Sequence, residues 1–283
     1  MCATCGCSDH NNVRIARLDN ANTATIYLTA SPKISHGHGH EHHHHHCHPS
    51  GHNHHHSPPQ ERTINLEAAL LAKNDQLARQ NRDWLQEQHI LALNLVSSPG
   101  AGKTTLLERT LRDLGDTLSL SVIEGDQETA NDAQRIRSTG CRVIQINTGA
   151  GCHLDAEMIA NALEKLAPPA KSIVMIENVG NLVCPALFDL GEQSKVVILS
   201  VTEGEDKPIK YPHMFRAARL MLINKIDLLP YVDFDVAQCI QYARSVNPDI
   251  QVLLVSATKG EGLDKWYKWI RKQITGNQSA ARE

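Results

Sequence analysis

No run of apolar residues in this 283-residue chain reaches the roughly 18 needed to cross a bilayer, so no membrane-spanning helix is expected. No apolar h-region with a cleavage site opens the sequence, so a secretory leader is not expected. Nor is there an excess of one charge: 28 Lys and Arg against 31 Asp and Glu leave a formal net charge of −3, which argues against a dedicated nucleic-acid binder. The expectation is a cytoplasmic protein with neither a membrane nor a nucleic acid as partner. In that reducing compartment the eight cysteines are expected as metal ligands or core thiols rather than disulfides. A hydrophobic fraction of 41% suffices for a sizeable core.

What is present centres on Ser97-Ser98-Pro99-Gly100-Ala101-Gly102-Lys103-Thr104-Thr105, which follows the apolar run 91–96 and precedes a helical pattern of leucines. Strand, Gly-rich turn, Lys-Thr and helix is the layout of a P-loop, whose backbone N–H groups cradle phosphates at a helix N-terminus. Ser97 occupies the place of the usual first glycine, while Gly100 and Gly102 still let the backbone close on an anion. Lys103 is expected to reach the β- and γ-phosphates and the Thr104 hydroxyl to bind Mg²⁺. A Gly-rich turn without a ligand is the alternative, and the Lys-Thr in register argues against it.

A second stretch names the base. Asn224-Lys225-Ile226-Asp227 ends an apolar strand pattern, and a carboxylate there accepts both the N1–H and the 2-amino hydrogens of guanine. Adenine offers no such donor pair on that edge, so Asp227 is expected to select GTP and GDP. Ser256 and Ala257 close the following strand pattern, where backbone N–H groups are placed to meet the guanine O6. Four letters alone describe an ordinary strand end; after a P-loop, in this order, they describe a guanine-nucleotide domain.

The first sixty residues have a different composition. Cys2, Cys5 and Cys7 put three soft ligands within reach of one nickel, zinc or copper ion, with Gly6 relaxing the backbone between them. A redox Cys-x-x-Cys normally follows a βαβ pattern, which is lacking here. Between His36 and His56 lie 13 of the 17 histidines, with Cys47 among them, in a Gly-, Ser- and Pro-rich tract expected to be disordered and to store metal. An expression tag would be less interspersed with other residues. The division is thus a disordered metal-binding extension over 1–60 and a nucleotide domain over 63–283, opening with a helix over 63–89. Arg79, Arg82 and Lys73 are expected on the solvated face of that helix.

Strand and helix patterns alternate after the P-loop, predicting an α/β P-loop NTPase with a mainly parallel sheet and helices on both faces. Its ligands then bind outside the carboxyl ends of the strands. Three loops there carry chemistry. In 124–132, Asp126 and Asp132 are candidates to bind Mg²⁺ or orient the attacking water, with a helix N-cap as the alternative for Asp132. In 147–155, Cys152 and His153 stand side by side. In Glu177-Asn178-Val179-Gly180, Glu177 replaces the Asp of a D-x-x-G switch and the Gly180 N–H is placed for the γ-phosphate. Cys184 follows four residues later, so Cys152, His153 and Cys184 form a candidate second metal site. Cys141 and Cys239 read as core thiols, and His89 and His213 as packing or surface residues.

The terminal Cys-x-x-Cys-Gly-Cys, the His tract, Ser-Pro-Gly-Ala-Gly-Lys-Thr-Thr, Gly-Cys-His-Leu-Asp-Ala, Glu-Asn-Val-Gly-Asn-Leu-Val-Cys-Pro and Asn-Lys-Ile-Asp together resemble the HypB family of hydrogenase nickel-incorporation GTPases, of the SIMIBI class. The resemblance covers essentially the whole chain. It implies nickel insertion into [NiFe]-hydrogenase with the nickel and zinc protein HypA, acting on the hydrogenase large subunit directly or through HypA. It also implies a tight nickel site at Cys2, Cys5 and Cys7, a nickel or zinc site at Cys152, His153 and Cys184, and homodimerisation under nucleotide or metal control. A urease nickel-insertion GTPase is the nearest alternative, but it is expected to carry Cys-Pro-His on one strand. A metal-storage protein and a small-molecule kinase are more distant alternatives.

Overall fold

The computed structural model describes residues 14–18, 24–28, 59–127 and 131–280; the cysteines at 2, 5 and 7 and the His tract with Cys47 lie outside them. In chain order the elements are β1 (Arg14–Leu18), β2 (Ala24–Leu28), α1 (Pro59–Glu87), β3 (Leu91–Ser97), α2 (Lys103–Leu114), β4 (Leu120–Asp126), α3 (Asn131–Arg137), β5 (Arg142–Asn147) and α4 (Ala156–Leu166). They continue with β6 (Ile173–Glu177), α5 (Cys184–Leu187), β7 (Ser194–Ser200), α6 (Lys207–Lys210), α7 (Pro212–Ala217), β8 (Leu220–Asn224), α8 (Val236–Val246), β9 (Gln251–Leu254) and α9 (Leu263–Ala280). One sheet runs β2-β1-β5-β4-β6-β3-β7-β8-β9. From β5 to β9 every pairing is parallel, as the strand–helix alternation predicts.

Strands β3, β6, β7 and β8 are buried along their whole length, and their alternating side chains feed two layers. On one face Leu91, Leu93 and Leu95 of β3 meet Leu106, Leu107 and Leu111 of α2 and Trp266 and Ile270 of α9. The Trp266 indole N–H is satisfied by donating to the Thr110 hydroxyl, 2.9 Å away. On the other face Ala92, Val174 and Ile176 pack with Ile159 and Leu163 of α4 and Leu85 of α1, and Val197, Met221 and Ile223 pack with Met214 and Phe215 of α7.

Two features depart from the sequence reading. Within the extension expected to lack structure, β1 pairs antiparallel with both β2 and β5, and Ile15 is buried beside Ile144 and Ile146. A segment of five residues, two of them arginines, is too short for a strand pattern to stand out; it pairs where β5 otherwise leaves an open edge. The solvated face assigned to α1 holds for Lys73 and Arg79, which are exposed, but not for Arg82, which is half-buried. Arg82 forks onto both carboxylate oxygens of Asp189 at 2.7 and 2.6 Å, and Lys73 pairs with Glu157 at 2.9 Å. Asn74 and Asn81 are buried and donate to the carbonyls of Asp189 and Leu190, fastening α1 to the loop after α5. None of the helices among the described residues is long and apolar enough to cross a membrane.

Candidate functional site: a nucleotide cleft and a cysteine–histidine cluster

At the carboxyl edge of the sheet a cleft of about 510 Å³ is lined by Ser97 to Thr105, Glu124 to Gln127, Asp132, Arg135, Glu177, Val179, Gly180 and Lys225. The turn between β3 and α2 aims the unpaired N–H groups of the first helical turn into it. Gly102 adopts φ +91°, and a Cβ there would stand 2.6 Å from the Asn224 amide nitrogen, so only glycine serves. Ser97, by contrast, ends β3 without a positive φ and donates to the Ser98 carbonyl at 2.7 Å, which is why this position tolerates a side chain.

Glu177 ends β6 directly beneath the loop. Its Oε1 receives the Lys103 ammonium at 3.1 Å and the Thr104 hydroxyl at 2.6 Å. In the sheet register Glu124 of β4 lies opposite Glu177, and each carboxylate keeps one buried oxygen without a partner. Burial, then the charges of Glu177, Asp126 and Asp132, push the Glu124 carboxyl from its ordinary 4.5 up to about 9. Two buried carboxylates with orphaned oxygens beside a phosphate loop are a donor set for a hard divalent cation. The sequence reading missed Glu124, because nothing local distinguishes it from Asp126 and Asp132.

Glu124 gives the nucleotide-free protein a pH dependence. The folded chain keeps a proton that the unfolded chain releases above pH 4.5, so stability is expected to fall as pH rises from there through about 9. Melting temperatures measured across that range should decline, and Glu124→Gln should flatten the slope; an equal slope in the variant would refute the assignment.

Asp126 ends β4 and lines the cleft, and its carbonyl accepts from the Thr148 N–H at 2.9 Å. Asp132 stands within the first turn of α3 rather than at its N-cap, and it pairs with Arg135 at 3.2 Å. Arg135, also missed from sequence, reaches Glu108 at 2.9 Å and the Thr105 hydroxyl at 3.4 Å. Gly180 crosses so close to the P-loop that a Cβ would stand 3.2 Å from Pro99, and it lines the cleft beside that loop.

At the base end Asn224 clamps two loops, donating to the Ala101 carbonyl at 2.9 Å and accepting from the Ala257 N–H at 3.2 Å. Lys225, in the left-handed region at φ 62°, donates to the Gly100 carbonyl at 2.7 Å. Asp227 accepts from the Ser256 hydroxyl at 2.5 Å, which orients its carboxylate.

The third expected group also assembles. The Cys152 and Cys184 sulfurs are 3.0 Å apart, and Cys152 Sγ is 3.7 Å from His153 Nδ1. One ligand atom from each of the three lies within 4.8 Å of the others. The Asn181 amide donates to the Cys152 carbonyl at 3.2 Å, lacing the two loops together, and the His153 ring rests on Phe188 at 4.0 Å between centroids. Cys141 and Cys239 are elsewhere, and burial pushes both thiols up to about 12, as core thiols require. His213 is exposed and His89 half-buried, neither in the site.

A P-loop beside the buried carboxylates and an Asn-Lys-x-Asp loop clamped onto it make this domain a P-loop GTPase. Residues 91–254 match the family model described as the CobW/HypB/UreG nucleotide-binding domain. With its relatives below, this places the chain in the HypB family of hydrogenase maturation GTPases. The hydrogenase maturation factor HypB of Escherichia coli (strain K12) is 50% identical over 287 aligned residues, covering 96% of this chain and 99% of that protein. Its counterpart in Rhizobium leguminosarum bv. viciae is 62% identical over 211 residues, 75% of this chain and 71% of that one. The crystal structure of the Archaeoglobus fulgidus factor superposes with a TM-score of 0.68 at 39% identity, covering 72% of this chain and 99% of that chain. That of Helicobacter pylori HypB in complex with nickel gives a TM-score of 0.68 at 37% identity, covering 72% and 96%.

Proposed function

We propose that this GTPase carries Ni²⁺ at Cys152, His153 and Cys184 and gives it up for [NiFe]-hydrogenase assembly under control of the bound nucleotide. The observation that carries the reading is the sulfur pair 3.0 Å apart, one sulfur on the chain segment that follows Glu177 and Gly180. Thiolate and imidazole donors suit nickel and also zinc, and the relative from Helicobacter pylori was crystallised with nickel. Thr104, Asp126 and Glu177 would hold Mg²⁺, with Glu124 behind them. The orphaned oxygens of Glu124 and Glu177 fit that ion, whose bound charge would offset that of the β- and γ-phosphates. Lys103 supports the γ-phosphate, Asp126 or Asp132 orients the attacking water, and the Gly180 N–H senses the terminal phosphate. When that phosphate leaves, Glu177 and Gly180 relax and the segment bearing Cys184 shifts with them.

Cys2, Cys5 and Cys7 form a separate tight nickel site in this reading, and the His tract stores the ion. Transfer involves HypA and the hydrogenase large subunit, and two copies pair under nucleotide or metal control.

The test is Cys184→Ala in the full chain. Loss of one thiolate is expected to weaken Ni²⁺ binding at this site by at least about tenfold and to remove its difference between GDP and a non-hydrolysable GTP analogue. Equal metal affinities in the two nucleotide states of the intact chain would remove the case for control.

A further inference from the structure

A line of buried polar side chains crosses the apolar face of the sheet between the two sites. Asn94 is the single polar residue in the middle of β3 and is 0% exposed; Asn178, Glu192 and Lys195 are 1%, 8% and 7% exposed. Such groups cost stability unless each is bonded, and apolar residues in their place are often neutral or better, so their presence needs a reason. Here each is bonded to the next. The Asn178 side-chain oxygen accepts from the N–H groups of Leu154 and Val179, and its side-chain amide donates to the Asn94 side-chain oxygen at 3.3 Å. The Asn94 amide donates to Glu192 at 3.0 Å, and Glu192 faces Lys195 at 3.6 Å. The Lys195 ammonium then donates to the carbonyls of Pro185 at 2.8 Å and Phe188 at 3.1 Å.

Both ends of this line stop at the cysteine–histidine cluster. Leu154 follows His153, while Pro185 follows Cys184 and Phe188 supports the His153 ring. Its first member follows Glu177, which grips Lys103 and Thr104. We infer that Asn178, Asn94, Glu192 and Lys195 form a buried strap of positioning residues that holds both arms of the metal site in register with the phosphate sensor. The inference rests on the nucleotide-controlled metal site proposed above and names the residues that transmit the control. None of the four lines the nucleotide cleft or belongs to the group of three metal donors. A shift of the 177–180 segment acts through Asn178 on the Leu154 side directly and through Asn94, Glu192 and Lys195 on the Cys184 side, so both arms of the cluster move together.

The experiment uses the full chain carrying Cys2→Ala, Cys5→Ala, Cys7→Ala and Cys47→Ala, so that the thiolate-to-nickel charge-transfer band reports Cys152 and Cys184. Ni²⁺ affinity is measured with GDP and with a non-hydrolysable GTP analogue. In this parent the two affinities are expected to differ by about fivefold or more. In Asn94→Ala and in Lys195→Met the difference should shrink below about twofold, with guanine-nucleotide affinity held within about twofold of the parent. Because Lys195→Met leaves Glu192 buried and unpaired, the double variant Lys195→Met/Glu192→Leu repeats the test without that charge. Variants that lose affinity equally in both nucleotide states and keep the parent's ratio would show a structural role only and overturn the strap. No difference in the parent would overturn nucleotide control and the strap together, whereas a difference retained in all variants overturns the strap alone.

Discussion

Replacing Lys103 with alanine is expected to lower the rate of GTP hydrolysis by about a hundred- to a thousandfold, the scale for losing one preorganised charge-stabilising donor. The Lys103 ammonium is largely buried and sits 3.1 Å from Glu177, at the end of the cleft where negative charge builds on the γ-phosphate. No other described cation is comparably placed. Lys225 is engaged by the Gly100 carbonyl, and Arg135 by Glu108 and Asp132. Removing Lys103 also strips Glu177 of its ion pair, leaving a second buried carboxylate uncompensated beside Glu124. Single-turnover hydrolysis with circular dichroism as the folding control measures the effect. A rate within about threefold of the unaltered protein, well inside that scale, would mean that the loop does not hold the γ-phosphate as described.

The second large effect concerns the base. Asp227→Asn exchanges one acceptor oxygen for a donor, which opposes the 2-amino group of guanine and matches the 2-carbonyl of xanthine. The remaining oxygen can still accept from Ser256, so the loop geometry is expected to survive. Losing charge-assisted bonds worth about 3 kcal/mol together weakens GTP binding by roughly a hundredfold. Hydrolysis assayed with GTP and with xanthosine triphosphate should therefore show the preference inverted. Undiminished GTP affinity would place the base elsewhere.

Much of this was legible because the relevant chemistry is local in sequence. The P-loop, the Asn-Lys-x-Asp loop and the Glu177 to Cys184 segment each announce themselves by residue types at fixed spacing beside an apolar strand, and the structure brings them to one edge. What escaped depends on neighbours distant along the chain. Glu124 becomes unusual only because sheet register sets it against Glu177. Arg82 reads as solvated until the loop carrying Asp189 folds onto α1. Asn94 looks like an interruption in β3 until Asn178 and Glu192 arrive on either side. The strands β1 and β2 are five residues each, too short for a pattern to stand out before their edge partner is known.

The antiparallel run of β1 along β5 sets the point from which the chain leads back to the N-terminal thiols. Arg14 lies opposite Asn147, at the strand end from which the chain proceeds to Cys152. Arg14 comes seven positions after Cys7, so a fully stretched backbone could carry that thiol no more than about 25 Å from it. In the two-site reading proposed above, a tether that short converts an exchange between the two ion holders into a unimolecular event at millimolar effective concentration. Dilution in the surrounding solution then has little say in which of them the ion visits next.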